Sequence, residues 1–335
     1  MTDQPPPENQ HAPLPRLTPP PQNEPSPQPP ISEPNFFHWL FLGKNGIRAG
    51  WSLVIFVALM IGTLVPIAIV IAIWHPNLST KEQPVGQVIA LEFMQLILVV
   101  VPTILMAVIE KKRILSYGFI DRRALGRFAG GLCVGFVAVT VLVGLLWASG
   151  LLAFDRLSLH GFSIVKYGLL WGVAFLLVAL FEESFFRGYP QYTLARGLNF
   201  WWAAILMSIF FGVSHMSNSG ENWIGIVDVI CAGAVLVLSL RLTGSLLWAV
   251  GMHAGWDWAQ SYFYGVADSG MAIKGHLLAT HPTGSPFWNG GAAGPEGSPF
   301  ALLMEILMAI GLYVWWKRQQ KLPVQLSNDD LCVQP

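Results

Sequence analysis

The sequence predicts an all-α polytopic membrane protein, with about eight transmembrane helices enclosing an intramembrane polar cavity. Three observations carry this. Charged residues make up 11% of the 335-residue chain and hydrophobic ones 53%, where a soluble globular domain has about 25% charged residues. Apolar runs long enough to cross roughly 30 Å of hydrocarbon recur along the chain. Acids and histidines lie inside those runs, and at membrane depth they cost a few kcal/mol each unless they face a bundle interior or a water-filled cavity.

Residues 1–35 are rich in Pro, with Gln, Asn, Ser and Glu. Such a segment lacks the apolar surface to offset ordering entropy and reads as a disordered cytoplasmic tail. It has neither the basic start nor the apolar core of a signal peptide. An aromatic patch, Phe36 to Leu42, suits the membrane interface. Eight spans follow, at about 50–74, 85–109, 128–153, 165–190, 199–217, 223–241, 245–264 and 300–316. The last is short and would have little tilt. Segment 265–299, rich in Gly, Pro, Ser and His, reads as an irregular loop. The chain thus divides into the tail at 1–35, N-terminal transmembrane helices with a basic loop at 36–160, a candidate catalytic helix set at 161–265, and a loop, last span and tail at 266–335.

Charge sets the orientation. Loop 110–127 holds Lys111, Lys112, Arg113, Arg122, Arg123 and Arg127. If spans alternate, Lys44, Arg48, Arg196, Arg241, Lys317, Arg318 and Lys321 share its side, against Lys81, Arg156, Lys166 and Lys274 opposite. Both termini are then cytoplasmic by the positive-inside rule, in a bacterium at the inner (cell) membrane. The formal net charge is zero, so the partners are the lipid bilayer and a substrate, with no nucleic acid. Cys133, Cys231 and Cys332 form no CxxC pair, which excludes a disulfide framework and a thiolate metal site. Cys332 stands at the CaaX distance from the end, but Gln334 and Pro335 fit that motif poorly.

Three polar motifs fall in spans four, five and seven. The first is F-E-E-S-F-F-R, Phe181 to Arg187. On a helix Glu183 and Arg187 share a face one turn apart, which reads as an ion pair. Glu182 points about 100° away and is left for chemistry. The second is F-G-V-S-H, ending at His215, and the third is H-A-G-W-D, with His253 and Asp257 one turn apart. With helix four continuing to about Ala195, Glu182 lies ~20 Å from its cytoplasmic end, and His215, His253 and Asp257 fall in the same layer at ~24, ~12 and ~18 Å. The bland alternatives are a structural Glu–Arg pair, a core histidine and an interhelical His–Asp hydrogen bond. Glu92, Asp228 and Glu305 read as cavity lining or interface residues. Trp201, Trp202, Trp256 and Trp258 lie near the site, as lining or as packing.

Such a cluster suits water activation. A carboxylate acts as general base, best when burial raises its pKa toward 7. A neutral imidazole holds the water or a metal. A second histidine with a polar partner donates to a developing oxyanion.

E-E-x-x-x-R, then F-x-x-x-H, then H-x-x-x-N/D in successive spans resembles the CPBP family, which comprises CAAX prenyl proteases of the Ras-converting type and bacterial bacteriocin-processing or bacteriocin-immunity relatives. The resemblance covers roughly 165–265. It implies an intramembrane endopeptidase acting on a peptide or membrane protein. Glu182 would be the essential base, with Glu183 and Arg187 in its motif. His215 would hold the water or a metal, Phe211 would match the motif's aromatic position, and His253 and Asp257 would complete the site. Asp257 stands where the eukaryotic prenyl proteases carry asparagine. A carboxylate donates to an oxyanion only when protonated, so Asp257 suits a metal ligand or a partner orienting His253. Glu182, His215, His253 and Asp257 hold enough N and O donors for zinc, but not on an H-E-x-x-H helix, and chemistry without a metal stays open. Two other classes remain: a non-catalytic immunity or scaffold protein of the same fold, and a proton-coupled transporter. No inverted repeat of the kind transporters use is visible.

Overall fold

The structure is a computed structural model that describes residues 36–43, 46–76, 82–218 and 220–321. The proline-rich tail, Lys44, Lys81 and Cys332 lie outside the described residues. Helix α1 (Phe36–Phe41) straddles the boundary, at Leu40, of a small N-terminal unit. All later elements belong to the second unit.

The apolar runs fold as helices: α2 (Ala49–Trp74), α3 (Val85–Ile109), α4 (Ala124–Ala148), α5 (Phe162–Phe186), α6 (Tyr189–Gly197), α7 (Phe200–Ser214), α8 (Trp223–Thr243), α9 (Leu246–Asp257), a short α10 (Pro286–Asn289) and α11 (Pro299–Lys321). The architecture is all-α and polytopic. Seven helices among the described residues are long and apolar enough to cross a membrane: α2, α3, α4, α5 with α6, α7 with its following turn, α8 and α11. The span expected at 245–264 is a 12-residue α-helix, α9, prolonged by a widened π-type turn over Trp258–Phe263. The last helix is longer than expected, at 23 residues.

Helix four does not continue to Ala195. It stops at Phe186, and α6 begins at Tyr189 after Arg187 and Gly188. Pro190 in the first turn of α6 has no N–H to continue a helix from α5. A Cβ on Gly188 would also overlap the Ser184 carbonyl. Glu182 therefore sits about one turn from the end of α5, and the depth drawn from a continuous helix does not hold.

Segment 265–299 is not wholly irregular. A short β1 (Leu42–Gly43) pairs with β2 (Gly46–Ile47), and β3 (Glu82–Gln83) pairs parallel with β5 (Ala272–Ile273). Strand β4 (Leu152–Leu157) pairs antiparallel with β6 (Leu278–Pro282), with a bulge between Phe154 and Arg156. The loop is thereby tied across the end of the bundle.

The central packing is α4 against α9. Gly131 and Gly135 of α4 face Gly251 and Gly255 of α9, and a methyl group at any of the four would overlap the opposite backbone. These are two G-x-x-x-G pairs, the small-residue spacing that lets membrane helices approach closely. His253 and Asp257 follow Gly251 and Gly255 by two residues, roughly 200° around the helix. One face of α9 is locked on α4, and the opposite face presents the polar pair.

Candidate active site

Three of the helices around the site start on a side-chain cap. Asn199 caps α7, accepting from the Trp201 and Trp202 backbone N–H groups at 3.0 and 3.1 Å. Asn222 caps α8 through Ile224 N and Gly225 N at 2.9 and 3.1 Å. Ser245 caps α9 through Leu247 N at 3.3 Å. These are the standard partners for the orphan donors of a helix start.

Glu183 and Arg187 form the expected ion pair at 2.7 Å, with side chains 0% and 1% exposed. The Arg187 guanidinium also lies 4.3 Å from the Phe211 ring centroid, within cation–π range. Glu183 has a second partner that its sequence position does not reveal. His253 Nδ1 donates to the same Oε1 at 3.0 Å. So Glu183 both closes the ion pair and fixes the His253 ring, the carboxylate–histidine arrangement that sets which nitrogen faces outward. Asp257 does not take that role through a hydrogen bond. His253 Nε2 lies 3.6 Å from Glu182 Oε2 and 3.6 Å from Asp257 Oδ2, beyond direct hydrogen-bond distance.

His215 ends α7. Its Nδ1 bonds the Phe211 carbonyl at 2.8 Å. A carbonyl only accepts, so Nδ1 carries the proton and Nε2 of the neutral ring offers its lone pair. Phe211 contacts both histidine rings, at 4.9 Å from His215 and 6.1 Å from His253.

Glu182, His215, His253 and Asp257 all line one cavity of about 460 Å³, a size typical of ligand pockets. Glu183 and Arg187 are buried behind its wall. Glu92, Asp228, Glu305 and Trp256 also line it. Trp201 and Trp202 do not; they are 57% and 59% exposed. Trp258 packs instead, donating to the Gly168 carbonyl at 3.0 Å.

Two lining acids come from segment 265–299 and were not singled out from the sequence. Glu296 accepts from Trp256 Nε1 at 2.7 Å and from Ser269 N and Oγ at 2.9 Å each. Asp268 accepts from Ser261 Oγ at 3.1 Å. Burial first, then the Asp257 and Glu296 charges, pushes the Asp268 carboxyl well above its ordinary range. Their one sequence signal is acidity inside a loop rich in small residues. The tie to Trp256 is tertiary and leaves none.

Among the described residues no group of three or more His, Cys, Asp or Glu side chains is placed to hold a metal ion. Both Nδ1 atoms are engaged by protein oxygens, which leaves Nε2 of each histidine as the nitrogen that could hold a water or an ion.

Helices α5 to α9 thus hold an acid, two histidines and a supporting ion pair around one cavity. Residues 164–259 match a protein-family model. The family is the type II CAAX prenyl endopeptidase, Rce1-like. The match contains all six site residues, agrees with the CPBP resemblance, and is to a family of peptidases. No curated protein and no solved structure matches the chain.

Proposed function

We propose that this chain is an intramembrane endopeptidase that hydrolyses a peptide bond with water activated by Glu182 and His215. The observation that carries the reading is that Glu182, His215 and His253 line one cavity, while Glu183 and Arg187 are paired behind it. A scaffold needs no such division between a satisfied and an open carboxylate.

Water sits between the Glu182 carboxylate and the lone pair of His215 Nε2. Glu182 takes its proton as the oxygen attacks the scissile carbonyl carbon, and the carbonyl π electrons move onto oxygen. His253, its Nδ1–H held by Glu183, donates from Nε2–H to that oxyanion. Asp257 and Glu182 flank this nitrogen and favour its proton. Collapse of the tetrahedral species breaks the C–N bond, and Glu182 returns its proton to the leaving amine. The products are a carboxylic acid, which then ionises, and an amine. A metal-dependent version is the weaker reading, because the donors are not grouped for an ion.

The substrate is a peptide or membrane protein entering from the bilayer. The name of the matched family extends CAAX-type carboxy-terminal processing to this chain as part of the proposal. With α9 and its π-type turn counted as a span, the Lys/Arg asymmetry supports both termini in the cytoplasm of a bacterial cell. Reporter fusions after Lys321 and within 265–299 should then report opposite compartments, and matching compartments would reverse the topology.

The decisive experiment is peptide cleavage by purified protein. Glu182→Gln keeps the volume and removes the base, so the rate should fall roughly 10²–10⁴-fold. His215→Ala should fall in the same range, and the double variant should be far from additive because both groups serve one step. Chelators should leave the rate unchanged. Undiminished cleavage by Glu182→Gln would end the proposal. Proton-coupled uptake into proteoliposomes without cleavage would favour a transporter.

A further inference from the structure

The cavity is lined by more acidic side chains than the proposed reaction uses. Asp and Glu outnumber His along its wall, and no Lys or Arg lines it among the described residues. Most of these acids have a task or a partner. Glu182 and Asp257 flank His253. Glu296 is held by Trp256 and Ser269. Asp268 is held by Ser261. Glu92 pairs with the Gln95 side chain. Asp228 and Glu305 remain.

Each is 2% exposed. Asp228 Oδ1 and Glu305 Oε2 have no hydrogen-bond partner among the described residues. Their helices bring them together, because α8 packs on α11 and both pack on the Pro295–Gly297 turn that carries Glu296. Asp228 lies six residues past the α8 cap and Glu305 six past the start of α11, about 9 Å along each helix. That is beyond the first turn, where the helix dipole would compensate a negative charge. Glu221, just before α8, adds to the crowding. Its carboxyl is pushed up first by burial and further by the Glu296 charge.

Protonation alone does not satisfy these atoms, since a neutral acid still has an O–H to donate and an oxygen to be matched. A buried polar atom left unmatched loses its hydration without return. A divalent ion would need a tighter donor group than is present. An ammonium or guanidinium suits the place better. It brings several N–H donors on a flexible or planar head, and its stem would pack on the apolar wall at Val229 and Leu236.

We propose that Asp228 and Glu305 form a recognition subsite for a basic side chain of the peptide bound in the cavity, so that this protein selects peptides with a Lys or Arg at a fixed position. The inference rests on the endopeptidase reading, and it concerns binding.

The test uses the purified full chain in detergent and acetylated, apolar, fluorescent hexapeptides carrying one lysine or one norleucine at each position in turn. Binding is read by anisotropy and cleavage is followed in parallel. At one position lysine should bind at least about tenfold more tightly than norleucine, as expected for a desolvated charge pair. Asp228→Asn with Glu305→Gln should reduce that ratio to near one while norleucine peptides bind as before. Equal binding of lysine and norleucine at every position of the unaltered protein would overturn the subsite, with no need for a variant that folds. A preference that survives the double substitution would also overturn it. A preference abolished by millimolar calcium or magnesium would place an inorganic cation there and overturn it as well. Lysine-selective binding without cleavage would instead refute the peptidase reading and leave the subsite standing.

Discussion

Glu110 follows the last residue of α3, and its carboxylate is fully engaged. It accepts from Ser52 Oγ at 2.7 Å, Tyr189 OH at 3.0 Å, Arg196 Nη2 at 2.9 Å and Lys112 Nζ at 2.9 Å. It ties the start of α2 to α6, and its side chain is 4% exposed. Glu182 lies one turn from the end of α5 and is 19% exposed. His253 Nε2 lies 3.6 Å from it. Both are acids near the end of an apolar helix. One has its acceptor capacity filled by four donors from two helices and the turn after α3. The other keeps an open face toward a cavity. Acceptor occupancy, more than burial, separates a carboxylate that holds the fold from one that is free to take a proton.

The comparison breaks first at Arg187, where the largest effect is expected. Arg187→Ala leaves Glu183 buried with one partner, His253, and should cost on the order of 3–5 kcal/mol. The readout is the melting temperature in detergent, or yield if the variant does not survive purification. Because Glu183 also holds His253, a surviving variant should lose activity as well. Normal stability would show that the pair is not what keeps the wall of the cavity in place.

Glu110→Gln comes next. It keeps the shape and loses the charge that strengthens four hydrogen bonds, so a loss of about 1–3 kcal/mol is expected. Burial works to raise the Glu110 carboxyl, but hydrogen bonds from Ser52 and Lys112 and the Arg196 charge outweigh it, and the group titrates below its ordinary value. A depressed folded-state pKa contributes stability that is present above the unfolded value, about 4.3. That contribution is lost as pH falls through the lower folded value. The melting-temperature gap between the unaltered protein and Glu110→Gln should therefore be full at neutral pH and close below about pH 4. A gap independent of pH would mean that Glu110 acts by shape alone.

Contacts within one helix were legible from the sequence, and contacts between helices were not. Glu183 with Arg187 and His253 with Asp257 follow from a four-residue spacing, and their faces were placed correctly. The hydrogen bond from His253 to Glu183 spans 70 positions and that from Trp256 to Glu296 spans 40. No periodicity encodes either. The Glu110 cluster draws on Ser52, Tyr189 and Arg196, and it was missed for the same reason. Some signals were present and unread. Gly188 with Pro190 marks the break after α5, and Gly131/Gly135 with Gly251/Gly255 marks the α4–α9 contact that aims His253.

The smallest expected effect sharpens the comparison most. Glu182→Gln is the same chemical change as Glu110→Gln, made at the open carboxylate. Among the described residues no direct hydrogen bond reaches Glu182, and His253 Nε2 lies 3.6 Å away, so the amide strands no directly bonded partner. It also removes a charge from a largely apolar wall formed by Phe181, Phe185 and Phe186. Stability should change by no more than about 0.5 kcal/mol, as for a substitution that disturbs no packed or paired group. The same variant should have lost most of its peptidase rate. Thermal unfolding and cleavage measured on one preparation of each variant give four numbers. The pattern required is a stability loss at Glu110 and a rate loss at Glu182. If Glu182→Gln instead melts well below the unaltered protein, Glu182 is a structural acid like Glu110, and the base must be sought elsewhere in the cavity, with Glu92 the first alternative on its wall.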